Sequence, residues 1–220
     1  MSGCDNQNDK LKIATAANML FAMEELIDAF EKEKGIEADM ILSSSGKLSS
    51  QIEAGAPFDL FFSADTKYPK QLESKGLCEK PIIYAYGQLV FWEKENSDKK
   101  LYAMANPMTA PYGLAAEEYI KAKEIYLPHV IYGESISQVN QFLLSGTVDG
   151  GYTSLSSVLS DRFTDEGKWM IVPDSLYSPI AQSFAIIDAS NKKSEAKAFL
   201  TYLTSEKAKV ILEAYGYKVN

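Results

Sequence analysis

Arginine and histidine are nearly missing from this chain: Arg162 and His129 are the only examples of each. With one guanidinium, bidentate clamping of a phosphate or carboxylate is almost out of reach, so any bound anion must be held by other donors. The lone histidine follows Pro128 at a strand start and completes no Ser-His-Asp or Cys-His arrangement, so no enzyme is expected. Cysteine is scarce too. Cys4 and Cys78 lie far apart with no C-x-x-C, which excludes a disulfide framework and zinc-site spacing and leaves Cys78 as a lone buried thiol. Positive charge is in deficit, with 22 Lys+Arg against 30 Asp+Glu and a net charge of −8. That balance lacks the basic footprint that nucleic acid or anionic lipid requires. Long apolar runs are absent as well: stretches such as Pro81–Trp92 fall short of the roughly 20 residues that span a bilayer.

What is present is a globular composition, 46% hydrophobic over 220 residues, enough for one or two ordinary cores. Lys12–Ala16 reads as a strand, and Leu20, Met23, Ile27 and Phe30 then recur at helical spacing until Gly35. Ile36, Ala38, Met40 and Leu42 alternate as a strand, and Ser43-Ser44-Ser45-Gly46 leads into a short helix that Gly55 closes. Phe58–Ala64 is a strand, with Asp65 as the cap of a helix that ends before Gly76. This alternation predicts a parallel sheet with crossover helices. Tyr84–Glu93 is a long β-rich run, after which strands at Leu101–Ala105, Val130–Tyr132, Gly151–Ser154, Trp169–Val172 and Gln182–Asp188 are expected. Helices are expected over Pro111–Lys123, Ser135–Leu144, Asn191–Thr204 and Ser205–Tyr215. Two α/β lobes result: residues 11–86 and 183–220 in lobe I, and residues 87–182 in lobe II.

In open α/β sheets ligands bind beyond the carboxyl ends of strands, where loops pass into helix N-termini. Four such junctions are rich in small or hydrogen-bonding residues: Ala16-Ala17-Asn18, Ser43-Ser44-Ser45-Gly46, Ala110-Pro111-Tyr112-Gly113 and Gly133-Glu134-Ser135-Ile136. Each helix start offers unsatisfied N–H groups and about half a positive charge, so several converging on one point would hold an oxyanion without a cationic side chain. Gly46-Lys47 is not a phosphate loop, because the first glycine of that motif is absent and Leu48 stands where Ser or Thr is needed.

The segments Ile13–Asn18, Ser43–Leu48, Gln51–Asp65 and Asn106–Gly113 resemble the periplasmic molybdate-binding proteins (ModA type) of ABC uptake systems, and the likeness runs from about Lys12 to the C-terminus. The most specific stretch is Gln51-Ile52-Glu53-Ala54-Gly55-Ala56-Pro57, followed by Asp59-Leu60. The resemblance implies a type II periplasmic-binding-protein fold, two α/β lobes with a two-strand hinge closing over the ligand. It further implies a dry, uncharged pocket in which Ala17 and Asn18, Ser45, Tyr112 and the backbone N–H of Ile136 meet the dianion. Many members take a phenol from the strand matching Gly151–Ser154, where this chain has Ser154, with Tyr152 on a core position; it instead resembles the branch with Pro-Tyr-Gly at the third junction, which implies Tyr112 as the donor. Ser44, Tyr152 and Ser154 are secondary candidates, and Glu134 and Asp149 are expected near the cleft.

The function implied is capture of molybdate, with tungstate, and delivery to an ABC permease by a monomer that needs no cofactor. Binding of sulfate, thiosulfate or phosphate on the same fold is the alternative. Ser2-Gly3-Cys4 followed by the polar stretch Asp5–Lys10 resembles the end of a bacterial lipoprotein signal, with residues 1–10 as a tether and Cys4 as the lipidated residue. Such a protein would work in the periplasm or on the outer face of the cytoplasmic membrane.

Overall fold

The structure is a computed structural model that describes residues 10–95, 100–163 and 167–219. The expected lipidation site at Cys4 lies outside the described residues. Two mixed sheets carry the fold. The first takes β1 (Leu11–Ala16), β2 (Ala38–Ser43), β3 (Leu60–Ser63), β4 (Ile82–Gly87), β10 (Ile180–Ile186) and β11 (Lys218–Val219) in the order β11-β4-β10-β3-β1-β2. The second takes β5 (Leu89–Lys94), β6 (Leu101–Ala105), β7 (His129–Gly133), β8 (Gly150–Ser154) and β9 (Gly167–Ile171) in the order β7-β6-β8-β5-β9. Helices α1 (Leu20–Lys34), α2 (Ser45–Glu53), α3 (Lys67–Ser74), α7 (Lys193–Leu203) and α8 (Glu206–Ala214) belong with the first sheet. The second is covered by α4 (Pro111–Ala122), α5 (Ile136–Leu144) and the single turn α6 (Leu155–Val158). No described helix is long and apolar enough to cross a membrane.

The parallel reading holds for β1, β2 and β3, and for β6 with β7 and β8, where helices link the strands. It fails for the rest: β10 runs antiparallel to β3 and β4, β11 to β4, and β5 to β8 and β9. β10 and β5 each follow a strand of the other lobe, so no local crossover helix sets their direction. The β-rich run at Tyr84–Glu93 is two strands in two sheets, because the chain leaves the first at Gly87 and enters the second at Leu89. At Gly87 a side chain would overlap the hydroxyl of Tyr112, so only glycine fits this crossing. The return from the second sheet runs through Val172, whose N–H donates to Leu89 O at 2.9 Å, so the two crossings lie side by side.

Helix ends follow their local chemistry. Gly35 terminates α1 in the left-handed conformation (φ 67°), and its N–H donates to Glu31 O. The cap position of α3 is Thr66, one residue after the expected Asp65, whose Oδ1 nevertheless accepts from Tyr68 N–H at 3.2 Å. The Asn18 junction begins with a single 3-10 turn, Ala17–Met19, and α1 starts only at Leu20.

Lobe I packs on an aromatic spine in which Phe30 and Phe199 meet edge to face at 4.9 Å and Phe62 reaches both Tyr84 (5.4 Å) and Phe199 (5.8 Å). A second cluster joins the lobe II core to Ala16, Ala17 and Ala64, so apolar packing is continuous across the interlobe boundary. Cys78 lies in a third cluster under α2 and α3, donates to Pro69 O at 3.5 Å, and has its thiol pushed up to about 12, chiefly by burial and then by Asp188, Glu73 and Glu79. The thiolate is thus scarce at pH 8. Cys78 is therefore expected to resist maleimide in the native protein and to label fully in denaturant, as read by mass spectrometry; rapid native labelling would mean that this cluster opens readily.

Candidate functional site

All four junctions meet. The carboxyl end of β1, the starts of α2 and α4, and the first residue of α5 enclose a small cavity of about 10 Å³, lined by Ala16, Ala17, Asn18, Ser44, Ser45, Ala64, Ala110, Pro111, Tyr112 and Ile136. None of these side chains is charged. Ser45 and Ile136 are the first residues of their helices, so no intrahelical carbonyl can take their N–H groups. Pro111 opens α4 with the fixed φ that suits that position and no N–H of its own. Three helix starts and the Ala17–Met19 turn thus aim their positive ends at one cavity.

The hydroxyls define the polarity of the site. Ser45 Oγ accepts from Ala64 N–H at 3.0 Å, which leaves its own proton free to donate. Ser44 Oγ and Tyr112 OH are fully buried and have no hydrogen-bond partner among the described residues. Burial holds the Tyr112 phenol well above its ordinary pKa, with Tyr217, Tyr177 and Tyr84 adding to the shift and the Asn18 amide opposing it. Tyr112 is therefore a neutral donor at every physiological pH. A cavity that offers several donors and leaves two hydroxyls unpaired is built for an acceptor.

Of the expected residues, Ala17, Asn18, Ser44, Ser45, Tyr112 and Ile136 all line the cavity. Asn18 differs from expectation in detail: both protons of its amide are engaged, with Gln182 Oε1 and Tyr217 OH at 2.9 Å each, so its side chain is a brace and only its backbone N–H remains for a ligand. Tyr152 and Ser154 are not in the lining. The Tyr152 ring packs between Phe91 and Tyr119 in the lobe II core, and Ser154 caps α6 and bonds to Ser156 and Ser157. Glu134 and Asp149 are outside the lining too: Glu134 pairs with Lys47 at the mouth, and Asp149 accepts from Leu101 N–H at the start of β8. Sequence reasoning missed Ala64 as a wall, since an alanine carries no chemical signal, and it missed the bracing residues Gln182, Tyr217 and Ser156.

The lobes are closed over this cavity. Gly46 N–H donates to Thr109 O at 3.0 Å, Tyr68 OH donates to Met108 O at 3.1 Å, and Lys47 Nζ meets Glu134 Oε2 at 2.5 Å. The exposed ion pair adds at most about 1 kcal/mol. Gly46 is the tight point, since a Cβ there would stand 2.7 Å from Tyr68 OH and 2.9 Å from Thr109 O.

Residues 11–218 match the family described as bacterial extracellular solute-binding protein. The chain belongs to that family. Among the relatives of this solute-binding protein is the molybdate-binding protein ModA of Azotobacter vinelandii, 34% identical, with 97% of this chain and 92% of the relative aligned. The putative ABC transporter substrate-binding lipoprotein YvgL of Bacillus subtilis is 28% identical over 94% of this chain and 85% of its own. The solved structure of the Azotobacter vinelandii periplasmic molybdate-binding protein superposes with a TM-score of 0.89 at 29% identity, covering 96% of this chain and all of that one. The two-lobe periplasmic-binding-protein fold is thereby established for this chain, and its relatives are solute-binding proteins rather than enzymes.

Closure at Gly46 is testable by small-angle scattering. Gly46→Ala is expected to keep the melting temperature of the ligand-free protein within a few degrees while shifting small-angle scattering toward a more open form under ligand. Wild-type compaction in this variant would mean that the mouth tolerates a methyl group.

Proposed function

We propose that this solute-binding protein captures molybdate, and tungstate with it, between its lobes and delivers the oxyanion to the permease of an ABC importer. The carrying observation is the uncharged cavity in which Ser44 and Tyr112 keep buried, unpaired hydroxyls beside the first residues of α2 and α5. Molybdate and tungstate bring two negative charges and no proton at neutral pH, so a site of donors alone suits them, and charge-assisted hydrogen bonds offset their desolvation. Phosphate near neutral pH retains a proton that needs an acceptor, and the cavity lining has no carboxylate to take it. Sulfate is rejected by size, as the smaller tetrahedron.

In this reading the backbone N–H groups of Ala17, Asn18, Ser45 and Ile136 and the hydroxyls of Ser45, Ser44 and Tyr112 hold the ligand, with no cofactor. Ligand bridging of the lobes shifts an open–closed equilibrium toward the closed form, which the permease recognises. The protein acts as a monomer outside the cytoplasmic membrane, tethered through lipid on Cys4. Relatives named as molybdate-binding proteins and as a substrate-binding lipoprotein support the reading. His129, exposed at the start of β7, has no part in the cavity lining.

Thermal shift with molybdate, tungstate, sulfate, thiosulfate and phosphate tests the ligand. Ligand at about 1,000 times its dissociation constant adds roughly 4 kcal/mol, and a chain of this size gains about 2–4 °C per kcal/mol. Shifts on the order of 10 °C are expected with molybdate and tungstate alone, whereas a flat response to both would sink the proposal. Calorimetry on Tyr112→Phe and Ser45→Ala is expected to show each losing about 1–3 kcal/mol of binding, because each leaves an acceptor of a buried dianion unmet.

A further inference from the structure

Behind the cavity runs a chain of buried polar side chains whose hydrogen bonds no ligand is needed to explain. It starts on β10, where the register against β4 shifts between Gln182 and Ser183, an irregularity of the kind that re-aims a side chain. Gln182 Oε1 accepts from Asn18 Nδ2 at 2.9 Å, and Tyr217 OH accepts the second amide proton at the same distance. The Asn18 carbonyl accepts from Ser156 Oγ at 2.6 Å and from Tyr217 OH at 2.9 Å, so both ends of Asn18 are gripped. Ser156 belongs to α6, and through it the chain passes into lobe II. Ser154 Oγ lies 2.9 Å from Ser156 Oγ and 2.7 Å from Ser157 Oγ, Asn140 Nδ2 donates to Ser157 Oγ at 2.8 Å, and Thr153 Oγ1 donates to Asn140 Oδ1 at 2.6 Å. Every one of these residues is buried.

The two ends of this chain are the two walls of the site. Asn18 stands in the turn that forms the lobe I wall, and Asn140 is one turn into α5, the helix whose first residue, Ile136, forms part of the lobe II wall. Tyr217 adjoins β11, which pairs with β4 at Tyr86 and Ala85 close to the interlobe crossing at Gly87, so the chain sits on the hinge side of the cavity, apart from the contacts at the mouth. A satisfied buried network of this kind is stiff, since breaking any link leaves a buried group unpaired.

We propose that Gln182, Tyr217, Ser156 and Asn140 are positioning residues that fix the separation of the Asn18 turn and the α5 N-terminus, and so set the size of the tetrahedral oxyanion that the cavity accepts. The inference rests on the oxyanion reading above and deepens it. A donor-only cavity has nothing but dimension with which to tell molybdate from sulfate, because both are fully ionised dianions at neutral pH. Dimension discriminates only if the donors cannot follow a smaller ion inward. The four residues touch no ligand in this account; they act through the walls they hold.

The test compares selectivity, which a purely structural role would leave alone. Dissociation constants for molybdate, by calorimetry, and for sulfate, by displacement of molybdate, are measured on the whole protein and on Tyr217→Phe and Ser156→Ala. The sulfate-to-molybdate ratio is expected to fall by roughly fivefold or more in each variant, the equivalent of one net hydrogen bond. Tyr202→Phe removes a buried phenol from the lobe I core, away from the chain, and is expected to keep the wild-type ratio. Wild-type ratios in both Tyr217→Phe and Ser156→Ala, whatever their melting temperatures, would overturn the inference while leaving the oxyanion reading intact. Failure of the wild-type protein itself to bind molybdate would instead remove the reading on which the inference rests.

Discussion

A buried hydroxyl without a partner costs about 1–3 kcal/mol, and of the five among the described residues two, on Ser44 and Tyr112, meet at a single cavity. Much of the architecture follows from keeping them there. Ser44 belongs to the lobe I strand-to-helix turn, and Tyr112 to the first turn of a lobe II helix, so the donors converge only when the lobes come together. The cavity has no charged side chain with which to bring an anion in or hold it. Its positive potential is the partial charge of helix starts, which acts at short range and therefore demands close approach.

Close approach explains where glycine is required. At Gly87 the hydroxyl of Tyr112 occupies the space that a side chain would take, at the residue where β4 gives way to the crossing into lobe II. At Gly46 the backbone N–H reaches Thr109 O directly, and the surroundings leave no comfortable room for a Cβ. One of these glycines lies at the hinge end of the closed cleft and the other at its mouth. Between them the apolar walls Ala16, Ala17, Ala64 and Ala110 let the backbones approach, since larger side chains would fill the cavity.

The bracing of Asn18 adds a second kind of order. An exposed asparagine at a helix start would be a simple cap, but here the side chain and the carbonyl are both held by groups distant in sequence, Gln182, Tyr217 and Ser156. The donors that face the cavity are thus supported from behind by fully bonded polar groups. The unpaired hydroxyls of Ser44 and Tyr112 line the cavity, while the hydrogen-bonded Gln182, Tyr217 and Ser156 stand behind it.

By itself the sequence determined the local elements and the chemistry of the junctions. Hydrophobic spacing placed α1 and β2, Gly35 marked a helix boundary, and the four strand-to-helix junctions stood out by their small and hydrogen-bonding residues, because capping and periodicity are properties of a few consecutive residues; the individual residues within them came from the family resemblance. Only the tertiary structure decided the rest. The direction of β10 and β5, the division of Tyr84–Glu93 between two sheets, the withdrawal of Tyr152 into the core and the engagement of the Asn18 amide all depend on partners far along the chain. No local pattern encodes such partners: Gln182 and Tyr217 are 164 and 199 residues from Asn18, and their pairing exists only once both lobes have packed around the hinge.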